Sequence, residues 1–531
     1  MALNAWSTSS TAKLDATIQR LQDNDPELTS LFILPNQSLP ESQWLKLCDA
    51  LKVNTHLESL YASGHAIGEV GALVLCEALM DNATLKSVCV GSSSFGDDGL
   101  AALSPGLALN GSLRRLDLEN KGVSGKGVQT LIDTLGESHS MSELRELSLA
   151  RNEAVGNDGA RALASAVASS ANPLRFLEVI SLRSTGLTDR SLVPGSVALP
   201  ISSALRTLDL RKNNFSHPET GGAQPFLALI EAVARASKLE SLLVSDCELE
   251  LVPAVLSVDS SGSASHDAAS TVSDRLVAAF KACESLRHLN VSGNLLSRPV
   301  AHQQDVDGED AIAPRLRRRR SAAACLGHAC AAAPRLEKLD ISSIGLGHGE
   351  AEAPASLDVG VAFVEALCEQ PGPAQSLQVV DMSKNSLSVT AATAAVLNLR
   401  HVAQKLFLTQ NKIGDDGVRS VSKALCSPDG ARPQTLLLLD LANNGMTEAG
   451  AVDLLATVGK RIRRRGDANM DTPSADVPPA NAPIPLRVLV VGGNLLGEAG
   501  HAAAEALEAE AVDLQIYRGK LEEEDAESQH S

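Results

Sequence analysis

A short apolar phrase recurs from one end of this 531-residue chain to the other. It reads apolar, two variable, Leu, one variable, Leu or Val, two variable, often Asn, one variable, apolar. Its clearest copies are Leu205-Leu208-Leu210-Asn213-Phe215, Leu286-Leu289-Val291-Asn294-Leu296 and Leu377-Val380-Met382-Asn385-Leu387. Copies begin at Leu28, Leu57, Leu85, Leu113, Leu144, Leu177, Leu205, Leu239, Leu286, Leu336, Leu377, Ala403, Leu436 and Leu486, 14 in all. A degraded copy at Leu514 and Ile516 closes the series. A repeat of this kind means one small unit stacked on itself, and that constrains the architecture more than any other feature.

Alternation inside the phrase is that of a short strand. The most regular steps, such as Leu28 to Leu57 and Leu57 to Leu85, are 29 and 28 residues. That leaves room for a turn, a helix and a return loop. Gly71, Gly99, Gly127, Gly159, Gly417 and Gly450 follow strand phrases, each with apolar residues four and eight places on, as at Leu75/Leu79 and Val421/Leu425. This is one helical face. Asp97, Asp98, Asp158, Asp415, Asp416 and Glu448 suit helix N-termini, where free N–H groups welcome negative charge. The expected fold is therefore an α/β solenoid of about 14 units, a curved horseshoe with parallel strands inside and helices outside. No unit buries both its strand and its helix alone; stacking does. The Asn at the ninth phrase position (Asn152, Asn213, Asn294, Asn385, Asn411, Asn444, Asn494) is expected to bond loop backbone of its own and the adjacent repeat. Repeats with His65, Ser93, Lys121, Thr185, Cys247 or Ile344 there should have weaker ladders.

The repeat predicts one elongated domain over about 20–520, preceded by a segment or cap at 1–19 and followed by an acidic, disordered tail at 521–531 around Glu522–Asp525. Three insertions, near 257–273, 298–320 and 347–357, fall between strand and helix in consecutive units. A fourth, Pro-rich, at 460–485, falls between helix and strand. Two basic clusters, Arg315–Arg320 and Lys460–Arg465, sit within these stretches. They read as solvated loop charge, as nuclear-import signals, as contacts for a phosphate or an acidic partner, or, for Arg317–Arg320 before Ser321, as a kinase site.

The net charge of −18 argues against nucleic acid and anionic membrane as main partners. There is no N-terminal apolar signal run and no 18-residue apolar segment. The nine cysteines have no paired spacing and read as reduced core residues of a cytoplasmic protein.

Residues between the buried leucines point into the concave face. The first units offer Phe32, Leu34 and Tyr61, and the last Phe407, Thr409 and Val490. The middle offers Asp117, Glu119, Arg183, Asp209 and Arg211, with Arg151 and Lys212 one place on. These seven charged residues are the candidate partner-binding set. The plain alternative is a solvated sheet whose charges pair laterally. No nucleophile with a base emerges, so no catalytic residue, no cofactor and no enzyme activity are expected. Cys325, His328 and Cys330 lie close in sequence, but Cys330 leaves the face shared by the other two on a helix, so no metal is expected.

The whole chain resembles the long-period, ribonuclease-inhibitor-like class of leucine-rich-repeat proteins, which holds inhibitors, GTPase activators, immune receptors and scaffolds. The N-terminal units resemble something narrower. Asn24-Asp-Pro-Glu-Leu-Thr29, Leu51-Lys-Val-Asn-Thr-His-Leu57 and Leu79-Met-Asp-Asn82-Ala-Thr-Leu-Lys-Ser87 are similar to the repeat domain of tropomodulin and leiomodin, which implies an actin partner. The family's first actin-binding and tropomyosin-binding segments have no counterpart here, and this chain runs on for many more units. The chain is also similar to the Ran GTPase-activating protein, implying a small GTPase partner, with no catalytic Asn or Arg to carry over. The first expectation is a protein-interaction scaffold using the concave face and the insertion edge.

Overall fold

A computed structural model of the chain describes all residues except 1–3, 138–139, 193–197, 217–223, 253–265, 297–308, 348–354, 370–375, 428–433, 463–483, 512 and 520–531. It divides into two compact units, Met1–Leu249 and Glu250–Ser531.

The first unit begins with helix α1 (Asn4–Gln22) and then alternates strand and helix: β1 (Ser30–Phe32), α2 (Glu41–Val53), β2 (Ser59–Ser63), α3 (Gly68–Asp81), β3 (Ser87–Gly91), α4 (Gly96–Leu109), β4 (Arg115–Asp117), α5 (Gly125–Leu135), β5 (Glu146–Ser148), α6 (Gly156–Ala168) and β6 (Val179–Ser181). A 3-10 turn, Asp189–Leu192, follows β6, and β7 (Thr207–Asp209), α7 (Pro225–Val233) and β8 (Ser241–Leu243) complete the unit. Strands β1 to β8 pair in parallel, each with the next in sequence.

The second unit repeats the scheme: α8 (His266–Ala282), β9 (His288–Asn290), α9 (Glu309–Ala332), β10 (Lys338–Asp340), α10 (Val359–Cys368), β11 (Val379–Asp381), α11 (Val389–Leu399), β12 (Lys405–Phe407), α12 (Gly414–Cys426), β13 (Leu438–Asp440), α13 (Glu448–Gly459), β14 (Val488–Val490), α14 (Gly497–Glu510) and β15 (Gln515–Tyr517). Strands β9 to β15 are again parallel and sequential. Both units are leucine-rich-repeat solenoids, as the phrase requires, and the degraded copy at Ile516 forms β15.

Each phrase places its central residue in one buried column. Leu116, Leu147, Ile180 and Leu208 stand in register, and each is 1 % exposed or less. The same holds for Leu289, Leu339, Val380 and Leu406. The helices supply the other wall: Leu75 and Leu79 of α3, Leu103 and Leu107 of α4 and Leu131 and Leu135 of α5 are all buried.

An asparagine ladder closes the turn after strands such as β5, β7 and β11. Asn152 donates from Nδ2 to Leu118 O and Leu149 O, both at 2.8 Å, and its Oδ1 accepts from the backbone of Lys121 and Val123. Asn213 and Asn385 repeat this bridge between neighbouring repeats. Where Asn is replaced, part of the reach survives. Cys247 Sγ donates to Leu210 O at 3.1 Å, and His65 Nε2 lies 3.2 Å from Ile33 O. Lys121 does not imitate Asn. Its buried side chain donates instead to Ser63 Oγ at 2.6 Å, and burial pushes its amine below the ordinary lysine range.

A second asparagine series lines the return turns into the strands. Asn82 Nδ2 donates to Leu51 O and Asn54 O, while its Oδ1 accepts from Thr84 and Leu85 N. Asn110 does the same one repeat on. The Asn-x-Thr-Leu pattern of the first repeats is therefore turn chemistry of the stack.

The acidic residues expected at helix starts act across repeats. Asp97, in the first turn of α4, accepts from Ser124 N at 2.7 Å and from its hydroxyl, ahead of α5. Asp415 holds Thr447 ahead of α13 in the same way, which keeps its carboxyl below the usual range. A Cβ at Gly127 would collide with the Asp97 carboxylate, which explains the glycine there.

The insertions are partly helical. Residues 266–273 belong to α8 and residues 309–320 to α9, so Arg317–Arg320 are borne by a helix and not by a loop. Residues 257–265, 298–308 and 348–354, Arg463–Pro483 and Glu522–Asp525 lie outside the described residues.

Truncation of a column residue leaves a cavity that two neighbouring repeats line. Leu208→Ala in the first unit and Leu289→Ala in the second, both fully buried, should each lower stability by about 2–5 kcal/mol. Urea denaturation checks this, and an unchanged midpoint for either would contradict the register described.

Candidate protein-interaction face

The seven charged candidates lie on or just after four consecutive strands. Asp117 ends β4, with Glu119 two residues on; Arg151 follows β5, Arg183 follows β6, and Asp209 ends β7, followed by Arg211 and Lys212. Backbone bonds tie the exits together: Arg151 N donates to Arg183 O at 2.7 Å, Ser184 N to Arg211 O at 2.9 Å and Lys212 N to Ser245 O at 3.0 Å. The structure thus brings the set together on one stretch of the first unit.

The two signs have different fates. The aspartates that end strands accept from the backbone N–H two residues on: Asp117 from Glu119 at 2.9 Å and Asp209 from Arg211 at 3.1 Å. Asp340, Asp381 and Asp440 make the same turn with Ser342, Ser383 and Ala442 in the second unit. This is the local Asp turn, a property of the repeat and not of a site. Asp209, 8 % exposed, is also gripped by both Arg211 Nε and Nη2 at 2.9 Å, which raises the Arg211 pKa. Asp117 lies 3.6 Å from Arg115, which also reaches Glu146 at 3.3 Å. Glu119 stands 3.9 Å from Arg151, with both side chains well exposed.

The basic residues are less engaged. Arg151 and Lys212 share a left-handed backbone, with φ of 57° each, at the eighth phrase position. Asn120, Ser184 and Asp246 adopt it too. Lys212 is exposed. Arg183 makes no ion pair among the described residues, and its Nε is buried without a hydrogen-bond partner.

One charged feature escaped the sequence reading. The residue after the first apolar of several phrases forms lateral pairs at the strand entries: Glu58 with Lys86 at 2.5 Å, Arg145 with Glu178 at 3.8 Å, Arg206 with Glu178 at 3.2 Å and with Glu240 at 2.5 Å. Opposite signs at that position in neighbouring phrases, from Arg145 through Glu178 and Arg206 to Glu240, were the available signal. Apolar contacts also differ between the ends. Phe32 and Tyr61 stack at 4.6 Å with Phe32 59 % and Leu34 54 % exposed. Phe407 and Tyr517 instead pack on a buried cluster of Leu438, Ala442, Val488 and Val490.

Off the sheet, Cys325 and Cys330 are buried in α9, and burial pushes the Cys330 thiol up to about 12. His328 Nε2 lies 2.8 Å from Glu369, which caps the C-terminus of α10. Among the described residues no group of three or more His, Cys, Asp or Glu side chains could hold a metal ion, and no helix is long and apolar enough to cross a membrane.

Asp381 offers a sharp test of the turn reading. Burial, then the neighbouring Asp340, push its carboxyl up from 3.8 to about 6. The folded state therefore holds this proton more tightly than the unfolded chain does. Above about pH 6 the fold carries the full penalty of a desolvated carboxylate, and the penalty is relieved as pH falls towards about 4. Asn290 occupies the corresponding place in β9 and makes the same bond to Ser292 N. Asp381→Asn should thus raise stability at pH 7 by about 1–2 kcal/mol, with the gain gone near pH 4. Denaturation at both pH values decides it; a loss at pH 7 would refute the penalty.

The leucine-rich repeat family model matches residues 141–164, which span β5 and the start of the following helix. Among curated proteins none matches the chain. Several solved structures are similar. Leiomodin-1 actin-binding site 2 is 19% identical over 25% of this chain and 77% of that chain, with a TM-score of 0.22. The Caenorhabditis elegans tropomodulin C-terminal domain is 19% identical over 25% of this chain and 80% of that chain, with a TM-score of 0.22. The yeast Rad7 and Elc1 complex provides a chain 14% identical over 94% of this one and 92% of its own length, with a TM-score of 0.42. With TM-scores this low, these likenesses say nothing of what this chain binds.

Proposed function

We propose that this leucine-rich-repeat protein is a non-enzymatic scaffold that holds a protein partner on the helix-free, concave face of β4 to β7. The observation that carries the reading is the gathering of Arg151, Arg183 and Lys212 beside acidic residues already committed to turns and ion pairs. A repeat stack builds an extended surface and no enclosed pocket with converging polar groups, which suits binding more than chemistry. The insertion edge is a second surface in this reading. In this reading the protein's place is the cytoplasm, with nuclear import through Arg317–Arg320 or Lys460–Arg465, which imaging tests.

The test is affinity purification from the native cell with mass spectrometry, comparing the wild type with Arg183→Glu/Lys212→Glu. Arg211 is left alone because reversing it would strand the buried Asp209. A partner lost on reversal supports the reading; an unchanged set of partners removes this face from it.

The stack of exposed Phe32 on half-buried Tyr61 favours a second reading, actin binding through the first repeats, whose sequence resembles tropomodulin and leiomodin. Such an aromatic pair in a chain with 2% aromatics is a ready anchor. The full chain should then pellet with actin filaments and Phe32→Ala/Leu34→Ala should not. Absence of the wild type from the pellet ends that reading. A small GTPase remains the partner class implied by the Ran-type resemblance, and unstimulated phosphate release across a GTPase panel would dismiss it.

A further inference from the structure

Four cations meet at the exits of β5, β6 and β7 on a chain whose net charge is −18. Like charges repel one another, and acids of this chain already answer two of the four, Asp209 for Arg211 and Glu119 for Arg151; the charge left over favours an anion from outside. Three observations bear on what that anion is.

The first is the bookkeeping of partners. Arg211 is turned onto its own Asp209 by two parallel bonds. Arg151 has Glu119 at 3.9 Å, an exposed pair of little strength. Lys212 is exposed and makes no ion pair among the described residues. Arg183, half-buried, makes no ion pair among the described residues, and its Nε is buried without a hydrogen-bond partner, so its charge has no acidic counterpart there. The second is spacing. The exits are tied by backbone bonds between adjacent repeats, so the cations step across the sheet at about 4.8 Å per strand. From Arg151 to Lys212 is two steps, about 10 Å. An extended peptide presents alternate side chains on one face about 7 Å apart, so one such segment lying across the strands meets two or three of the cations. The third is geometry of recognition. A guanidinium takes a carboxylate through two parallel N–H donors, and an ammonium takes one as a point charge. Asp246, which bears on Arg211 from the next repeat, limits the strip on that side.

We propose that Arg151, Arg183, Arg211 and Lys212 form a docking strip for an acidic segment of a partner protein, with Arg183 receiving a carboxylate and Lys212 a second one. This rests on the scaffold reading of the same face and adds the chemistry of its partner.

The test uses the full-length protein and a fluorescein-labelled twelve-residue peptide alternating glutamate and glycine, followed by fluorescence anisotropy. A lysine–glycine peptide of equal length and a single-stranded oligonucleotide serve as comparison probes. The wild type should bind the glutamate probe more tightly than either. Arg183→Gln/Lys212→Gln should weaken that binding about tenfold or more. The same charge change on the exposed Lys126 and Lys423 should leave it within about twofold. No binding of the glutamate probe, equal weakening in both double variants, or tighter binding of the oligonucleotide would each overturn the proposal. The two readings fail separately. A cellular partner lost in the Arg183→Glu/Lys212→Glu variant without any glutamate-probe binding keeps the face and refutes an acidic occupant. Probe binding with no partner lost keeps the strip's chemistry and refutes the scaffold role.

Discussion

The side-chain amide of the asparagine that recurs at strand exits is the interaction on which the repeat stack turns. A strand of three residues makes too few ladder bonds to fix where the chain goes next. Asn152 supplies what is missing: it joins the carbonyls of its own and the preceding repeat while accepting two N–H groups of the loop. Those loop groups are buried and would otherwise be unsatisfied. Because each amide bridges two repeats, it fixes the step between units as well as the turn within one. Positions with Thr, Cys or His keep one arm of the bridge, and Lys121 abandons it for Ser63, two repeats back.

That fixed step has an electrostatic consequence. Every phrase position becomes a row across neighbouring strands, so residues 26 to 50 apart in sequence become lateral neighbours. Rows at the strand entries pair by sign, as in Arg206 between Glu178 and Glu240. Aspartates at the strand ends close the turns. The eighth position is held left-handed in repeat after repeat, which carries Arg151 and Lys212 out beyond the paired rows. Charge on this face is therefore sorted by position, with the acids absorbed into the frame and part of the cationic set left over.

Much of this was legible in advance. The phrase located every strand centre, and glycine followed by apolar residues at four and eight places located α3, α4, α5, α6, α12 and α13. The irregular second unit was harder: α9 extends across residues that looked like a basic loop, because a run of arginines is a good helix former as well as a soluble one. The candidate set stands at neighbouring strand exits, as its phrase positions imply, but its members looked equivalent. Asp209 and Arg211 differ from Arg183 only in what their neighbours offer.

What the sequence by itself determined is the repeat: strand, turn, helix and return, together with which residues face the core. Those follow from periods of two and 3.6 and from turn chemistry within a few residues, all of it local. Only the tertiary structure decided which charges are already satisfied, for example that Arg115 reaches Glu146, 31 residues on, while Arg183 makes no ion pair among the described residues. Lateral pairing depends on rotamer, burial and the residue one repeat away, and none of these is written in the phrase.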